Sequence, residues 1–248
     1  MDVAALVDSL ERDGVGLADT AARAGLDAPV PTCPGWDVRD LLVHITGVHR
    51  WARSYVESGR SEPWSGDDEA AFFTPAGDPV DGYRTAHREL VDTLRAADPA
   101  TACWTFLRAP SPLAFWARRQ AHETAIHRAD VTLAGGGPVP AWDPAFAADG
   151  IDELLRGFFA RRRGRLVADP PTSIAVVPDD ADIRWLLRIR PDGRETTLGP
   201  GEADLTATGP ANALYLLLWN RGDQSAVRLD GNLRALDLWK RLAHVTWD

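Results

Sequence analysis

Three side chains in this chain of 248 residues have the types and spacing to hold a divalent cation. Glu123 and His127 stand four apart in Arg119-Gln-Ala-His-Glu-Thr-Ala-Ile-His-Arg128. If the segment is helical they are neighbours on one face, so one carboxylate oxygen and one imidazole nitrogen can reach the same ion. His44 follows Leu41 by three and precedes Val48 by four, so it points with an apolar stripe into a core. Set across a bundle from the Glu123–His127 pair, it completes two histidines and a carboxylate, the donor set of an open catalytic metal site. The alternative for each is plain. An inward histidine also serves as a hydrogen-bonded core residue, and an i,i+4 Glu–His pair as a solvated contact.

The neighbouring dipeptide His122-Glu123 invites a zincin reading, which fails on spacing. That motif needs two histidines four apart on one face. His122 and His127 are five apart, which sets them about 140° around a helix turning about 100° per residue. Glu123 is therefore read as a ligand and not as a general base. His87 lies on the apolar stripe of its own segment, four after Tyr83 and three before Leu90, and reads as a core histidine with a ligand role as the alternative. Spacing offers no partner for His49 or His244. Cys33, between Pro31 and Pro34 ahead of a helix, reads as a small buried apolar residue in a loop, with a low-pKa thiol at a helix N-terminus as the alternative. The run Arg161-Arg-Arg-Gly-Arg165 could bind an anion or simply face solvent. Arg221 directly follows the apolar run Leu214–Trp219, and its planar guanidinium could grip a carboxylate bidentately or complement the helix C-terminus.

These residues need elements to position them. Residues 3 to about 24 read as a first helix. Pro31–Trp36 is a loop of helix breakers, and Asp37 is the N-cap of a second helix running from Val38 to about Glu57, with Asp40 in its first turn. A polar, Pro/Gly-rich stretch covers residues 59 to 79. A third helix runs from about Val80 to Ala97, and Ser111-Pro112 opens a fourth that reaches Ala134. Gly135–Pro140 stops it, and the pattern then changes. A helix from Pro144 through Phe159 leads into strand-like runs at Ser173–Val177, Ile183–Ile189, Glu195–Leu198 and Ala203–Thr208. An apolar helix from Gly209-Pro210 to Asn220, a short strand at Val227–Leu229 and a final helix from Asn232 complete the chain. The expected architecture is two domains joined near residue 140: a four-helix bundle over 1–140 and an α+β domain over 141–248.

Composition limits the partners. The chain is 45% hydrophobic and 25% charged, an ordinary balance for a globular protein. A formal net charge of −9 argues against nucleic acid or an anionic membrane as partner. No run approaches the roughly 18 apolar residues of a membrane span. The acidic start lacks the basic region of a signal peptide. Two cysteines, Cys33 and Cys103, make no disulfide framework, which suits a reducing cytosol.

The segments Thr32-Cys-Pro-Gly-Trp-Asp-Val-Arg-Asp-Leu-Leu-Val-His44 and His122-Glu-Thr-Ala-Ile-His-Arg128 together resemble the mycothiol-dependent maleylpyruvate isomerase family of actinobacteria. So do Trp185–Arg190 and Gly209–Arg221 in the second half, and the likeness spans nearly the whole chain. The resemblance implies a DinB-like four-helix bundle followed by a domain similar to sterol carrier protein. It places the family's metal ligands on His44, Glu123 and His127, and its substrate-binding arginine on Arg221. It implies zinc first, with iron or nickel as alternatives, and mycothiol as thiol cofactor. The implied activity is cis–trans isomerisation of a small electrophile: the thiolate adds to an activated double bond, the new single bond rotates, and elimination returns the trans isomer. A transferase would stop after addition. A cytoplasmic monomer with a small-molecule substrate follows from the same likeness. The reading from another class is a metal- or small-ligand-binding module without catalysis, since both folds also host binding roles.

Overall fold

The computed structural model describes residues 1–161, 164–222 and 224–245. Arg162 and Arg163 of the basic run lie outside the described residues. The chain falls into two compact units, Met1–Pro140 and Ala141–Asp248.

Four long helices build the first unit: α1 (Val3–Ala24), α2 (Val38–Ser58), α4 (Pro79–Ala96) and α5 (Pro112–Ala134). Each begins where its sequence supplies an acceptor for the orphaned backbone N–H groups of a first turn. Asp2, Asp78 and Ser111 accept from the second or third residue beyond them. Asp37 and Asp40 form a reciprocal capping box at the start of α2. The stretch after α2, expected to be irregular, holds a short helix α3 (Gly66–Ala70) and a 3₁₀ turn (Ala71–Phe73). Asp67, Asp68 and Glu69 crowd the first turn of α3, where carboxylates favour the helix dipole.

Helix α1 packs on α5 and α4, while α2 packs on α4 and α5. Leu17, Ala21, Val38, Leu41, Ile45, Tyr83 and Val131 form one buried cluster among them. Toward the other end of α2, Tyr55 stacks on Trp116 of α5 with ring centroids 5.1 Å apart at 13°. Trp51 meets Trp116 edge-on at 5.1 Å. Such aromatic pairs contribute about 0.5–1.5 kcal/mol each beyond area burial, and here they fix α2 against α5. Helix α5 is unlike the others. It is buried all round, including Arg119, Gln120, His122, Glu123, Thr124, His127 and Asp130. With none of its residues exposed, α5 holds its polar side chains inside the protein, where most need a partner.

The second unit opens with α6 (Pro144–Asp152), capped by Asp143. The helix expected to continue to Phe159 instead widens into a π-wound turn over Glu153–Phe158. Five strands follow: β1 (Thr172–Pro178), β2 (Trp185–Arg190), β3 (Gly193–Leu198), β4 (Leu205–Gly209) and β5 (Arg228–Gly231). They lie in the order β3-β2-β1-β4-β5. Only the β1–β4 pairing is parallel; the other three are antiparallel. Helix α7 (Ala211–Leu218) packs on α6, β4 and β1, and α8 (Arg234–Leu242) packs on β1. Trp239 of α8 donates its indole N–H to the Leu218 carbonyl at 2.9 Å, tying the last helix to the end of α7. No helix among the described residues is long and apolar enough to cross a membrane.

Candidate metal centre

Helices α2 and α5 bring His44, Glu123 and His127 together. His44 Nε2 and His127 Nε2 each lie 3.4 Å from the same oxygen, Glu123 Oε1. One donor atom from each of the three falls within 4.8 Å of the others. A separation of 3.4 Å is long for a hydrogen bond. It matches the edge, about 3.4 Å, of a tetrahedron whose centre lies about 2.1 Å from each corner, the bond length zinc takes to imidazole nitrogen and carboxylate oxygen. The residues therefore fit a divalent ion.

The remaining atoms of the ligands are held from behind. Arg119, completely buried, donates to Glu123 Oε2 at 2.7 Å one turn earlier on α5. His127 Nδ1 pairs with Asp130 Oδ2 at 2.9 Å. Asp130 also accepts from the Thr32 hydroxyl at 2.5 Å, and Cys33 Sγ lies 3.7 Å from its other oxygen. A carboxylate on the far nitrogen of an imidazole fixes its tautomer and aims the near nitrogen at a metal. Cys33, His127 and Asp130 also form a close group, but it shares His127 with the first.

The electrostatics follow from this packing. Burial pushes the Glu123 carboxyl up, but the Arg119 guanidinium and the hydrogen bonds from His127 and His44 outweigh it and hold the group well below the usual carboxylate range. Burial likewise opposes a charge on His127, yet its bonds to Asp130 and Glu123 win and raise its pKa to about 9. In the ion-free protein a proton on His127 thus balances the buried carboxylates, and an ion entering must displace it.

Two aromatic rings pack beside His44. Trp36 and Phe73 flank the His44 ring at centroid distances of 5.0 and 6.3 Å. Phe73 can lie against α2 because residue 47 is glycine; a Cβ there would come 2.2 Å from the Phe73 ring. The His44 side chain is 18% exposed and those of Glu123 and His127 are each 9% exposed, so the group is largely, but not wholly, shut off from solvent.

The other histidines are elsewhere. His122 is fully buried and belongs to neither close group. His49, for which spacing offered no partner, pairs through Nε2 with the Thr124 hydroxyl at 3.0 Å. His87 lies 3.3 Å from the Glu11 carbonyl and is a core histidine. His244 is exposed. Arg221 follows α7 in the second unit, half-buried, and donates to the Trp219 carbonyl at 2.8 Å. Spacing analysis passed over Arg119 and Asp130, although both stand at helical intervals from the ligands.

Comparison with known proteins decides the family. A family model for the mycothiol maleylpyruvate isomerase N-terminal domain matches residues 7–132, and one for the C-terminal domain of the same enzymes matches residues 145–238. The chain belongs to the mycothiol-dependent maleylpyruvate isomerase family. A crystal structure of a mycothiol-dependent maleylpyruvate isomerase aligns with a TM-score of 0.58 at 12% identity, covering 93% of both chains. A histidine-to-alanine mutant of such an enzyme aligns with a TM-score of 0.60 at 11% identity, again covering 93% of both. At these identities the likeness establishes the two-part fold: a helical unit followed by a mixed five-stranded sheet with helices. No curated protein matches the sequence.

Proposed function

We propose that the protein is a metal- and mycothiol-dependent enzyme that isomerises, or adds a thiol to, a small electrophile of the maleylpyruvate kind. The observation that carries this is the convergence of His44, Glu123 and His127 on one point, with Glu123 Oε1 3.4 Å from both imidazoles. His44, Glu123 and His127 would hold the ion, zinc by the tetrahedral fit, with iron or nickel also suited to two histidines and a carboxylate. When bound, such an ion supplies positive charge that favours the thiolate form of a coordinated thiol.

The chain's own residues do the rest. Asp130 keeps His127 aimed and its Nε2 free, and Arg119 keeps one oxygen of Glu123 turned to the histidines. Trp36 and Phe73 pack beside the His44 ring and help to hold it in place. Arg221 is proposed to hold a substrate carboxylate through its planar guanidinium. A thiol with a pKa near 8.5 is about 3% ionised at pH 7, so complete ionisation gains at most about thirtyfold. Holding the two reactants together contributes more. Family membership supports the thiol. Three donors, with no fourth in the same group among the described residues, support an open, catalytic site over a closed structural one. The enzyme is proposed to work as a cytoplasmic monomer.

The test is metal analysis of the purified protein together with turnover of maleylpyruvate in the presence of mycothiol. About one equivalent of ion, lost in the His44→Ala, Glu123→Ala and His127→Ala variants along with activity, is the expected result. Arg221→Lys should lower activity with the ion retained. Full metal content in all three ligand variants would overturn the site, and a metal-loaded protein inert to thiol and electrophile would leave only a binding role.

A further inference from the structure

The second unit contains a cavity of about 480 Å³ that the reading above does not use. That volume is within the range of small-molecule sites. Arg161, Arg165, Arg194 and Arg241 line it, and no Asp or Glu is among its described lining residues. In a chain with a formal net charge of −9, four guanidinium groups around one concavity is a strong local reversal. A cleft lined by charge of one sign focuses its field on whatever enters, and like charges so gathered repel until a counter-charge joins them.

One of the four is built in. Arg194, on β3, donates to the carbonyl of Arg161 at 2.9 Å, and its guanidinium carbon stands 5.4 Å from the centre of the Phe159 ring. Residue 164 is a glycine at φ +151°, and a Cβ there would meet Arg194 Nη2 at 2.6 Å. Gly164, within the basic run, thus leaves room for this guanidinium. Phe158 and Phe159 supply an apolar wall to the same cavity.

We infer that this cavity binds a small organic anion carrying a doubly charged group, such as a phosphate monoester, attached to an apolar body. Guanidinium groups match the oxygens of such a group through paired charge-assisted hydrogen bonds. The phenylalanines cover its apolar part. The site lies wholly within the second unit and does not depend on the metal centre.

Titration calorimetry of the full chain with 1-naphthyl phosphate, 1-naphthol, 1-naphthoate and inorganic phosphate tests the inference. The phosphate ester should bind about tenfold or more tightly than each of the other three, and its affinity should fall as salt is raised. Arg165 and Arg241 are exposed, so the double variant Arg165→Gln/Arg241→Gln should fold, which far-UV dichroism verifies. It should bind the ester about tenfold or more weakly, while His44→Ala should bind it as the parent does. Arg161→Gln is a second, independent variant with the same expected direction. Equal binding of naphthol and its phosphate, or unchanged affinity in both arginine variants, would overturn the proposal. Equal binding of naphthoate would overturn the doubly charged ligand, and loss of binding in His44→Ala would overturn the independence of the two sites.

Discussion

At the scale of single residues, Arg119, Glu123, His127 and Asp130 form one ladder along α5, spaced by four, four and three. Only its middle pair was read as chemistry from the sequence, because glutamate and histidine are ligand types and the two ends resemble ordinary surface charges. The burial of α5 on all sides turns those ends into supports. Asp130→Asn should weaken metal affinity by about 10–100-fold with the fold intact, the usual cost of losing the group behind a ligating histidine; a chelator competition measures it. Contacts such as Thr32 to Asp130 and His49 to Thr124 join positions 98 and 75 apart, and spacing carries no trace of them. Histidines also set the pH response. Burial, and for His49 the neighbouring His87, holds both below their ordinary pKa. The unfolded chain then takes up protons below about pH 6.5 that the folded chain refuses, so stability falls with decreasing pH by up to about 1.4 kcal/mol per unit for each. His127, raised to about 9, acts oppositely: its contribution is full below about pH 6.5 and is lost as pH climbs toward 9. Ion-free protein should therefore be most stable near pH 6.5. Urea midpoints across pH 5–9 in chelator measure this, and His87→Leu should flatten the acid limb.

At the scale of elements, helix starts were the most legible feature, since Asp37, Ser111-Pro112 and Asp143-Pro144 name their own positions through the hydrogen bonds they make. The short α3 and the π-wound turn after α6 were not legible. The first is a single acidic turn between glycines and prolines, and the second depends on how Glu153–Phe158 packs, which no local residue pattern records. The β5 strand sits slightly later than the short strand expected at Val227–Leu229, because its pairing with β4 fixes it at Arg228–Gly231. Helix α2 carries His44, so its entry angle matters to the site. Asp37→Ala removes half of the capping box and should cost about 1 kcal/mol of unfolding free energy, read from denaturant midpoints at constant slope.

At the scale of the whole molecule, the proposed metal ligands all belong to the first unit, and so do the residues that support them. A fragment ending at Pro140 is expected to fold and to bind one ion with near-parent affinity, which dichroism and metal analysis of the isolated fragment would check. Loss of helix in that fragment would show that the unit needs the remainder of the chain. The place of α5 has one more consequence, for synthesis. It is the last of the four long helices to be made, and α1 and α2 both pack against it. Until it leaves the ribosome, the faces of α1 and α2 that pack on α5 have nothing to bury them. With chains growing at about 5–20 residues per second, that exposure lasts seconds. Two of the three candidate ligands, Glu123 and His127, also arrive with α5, so the bundle core and the candidate ion site are completed by the same stretch of chain.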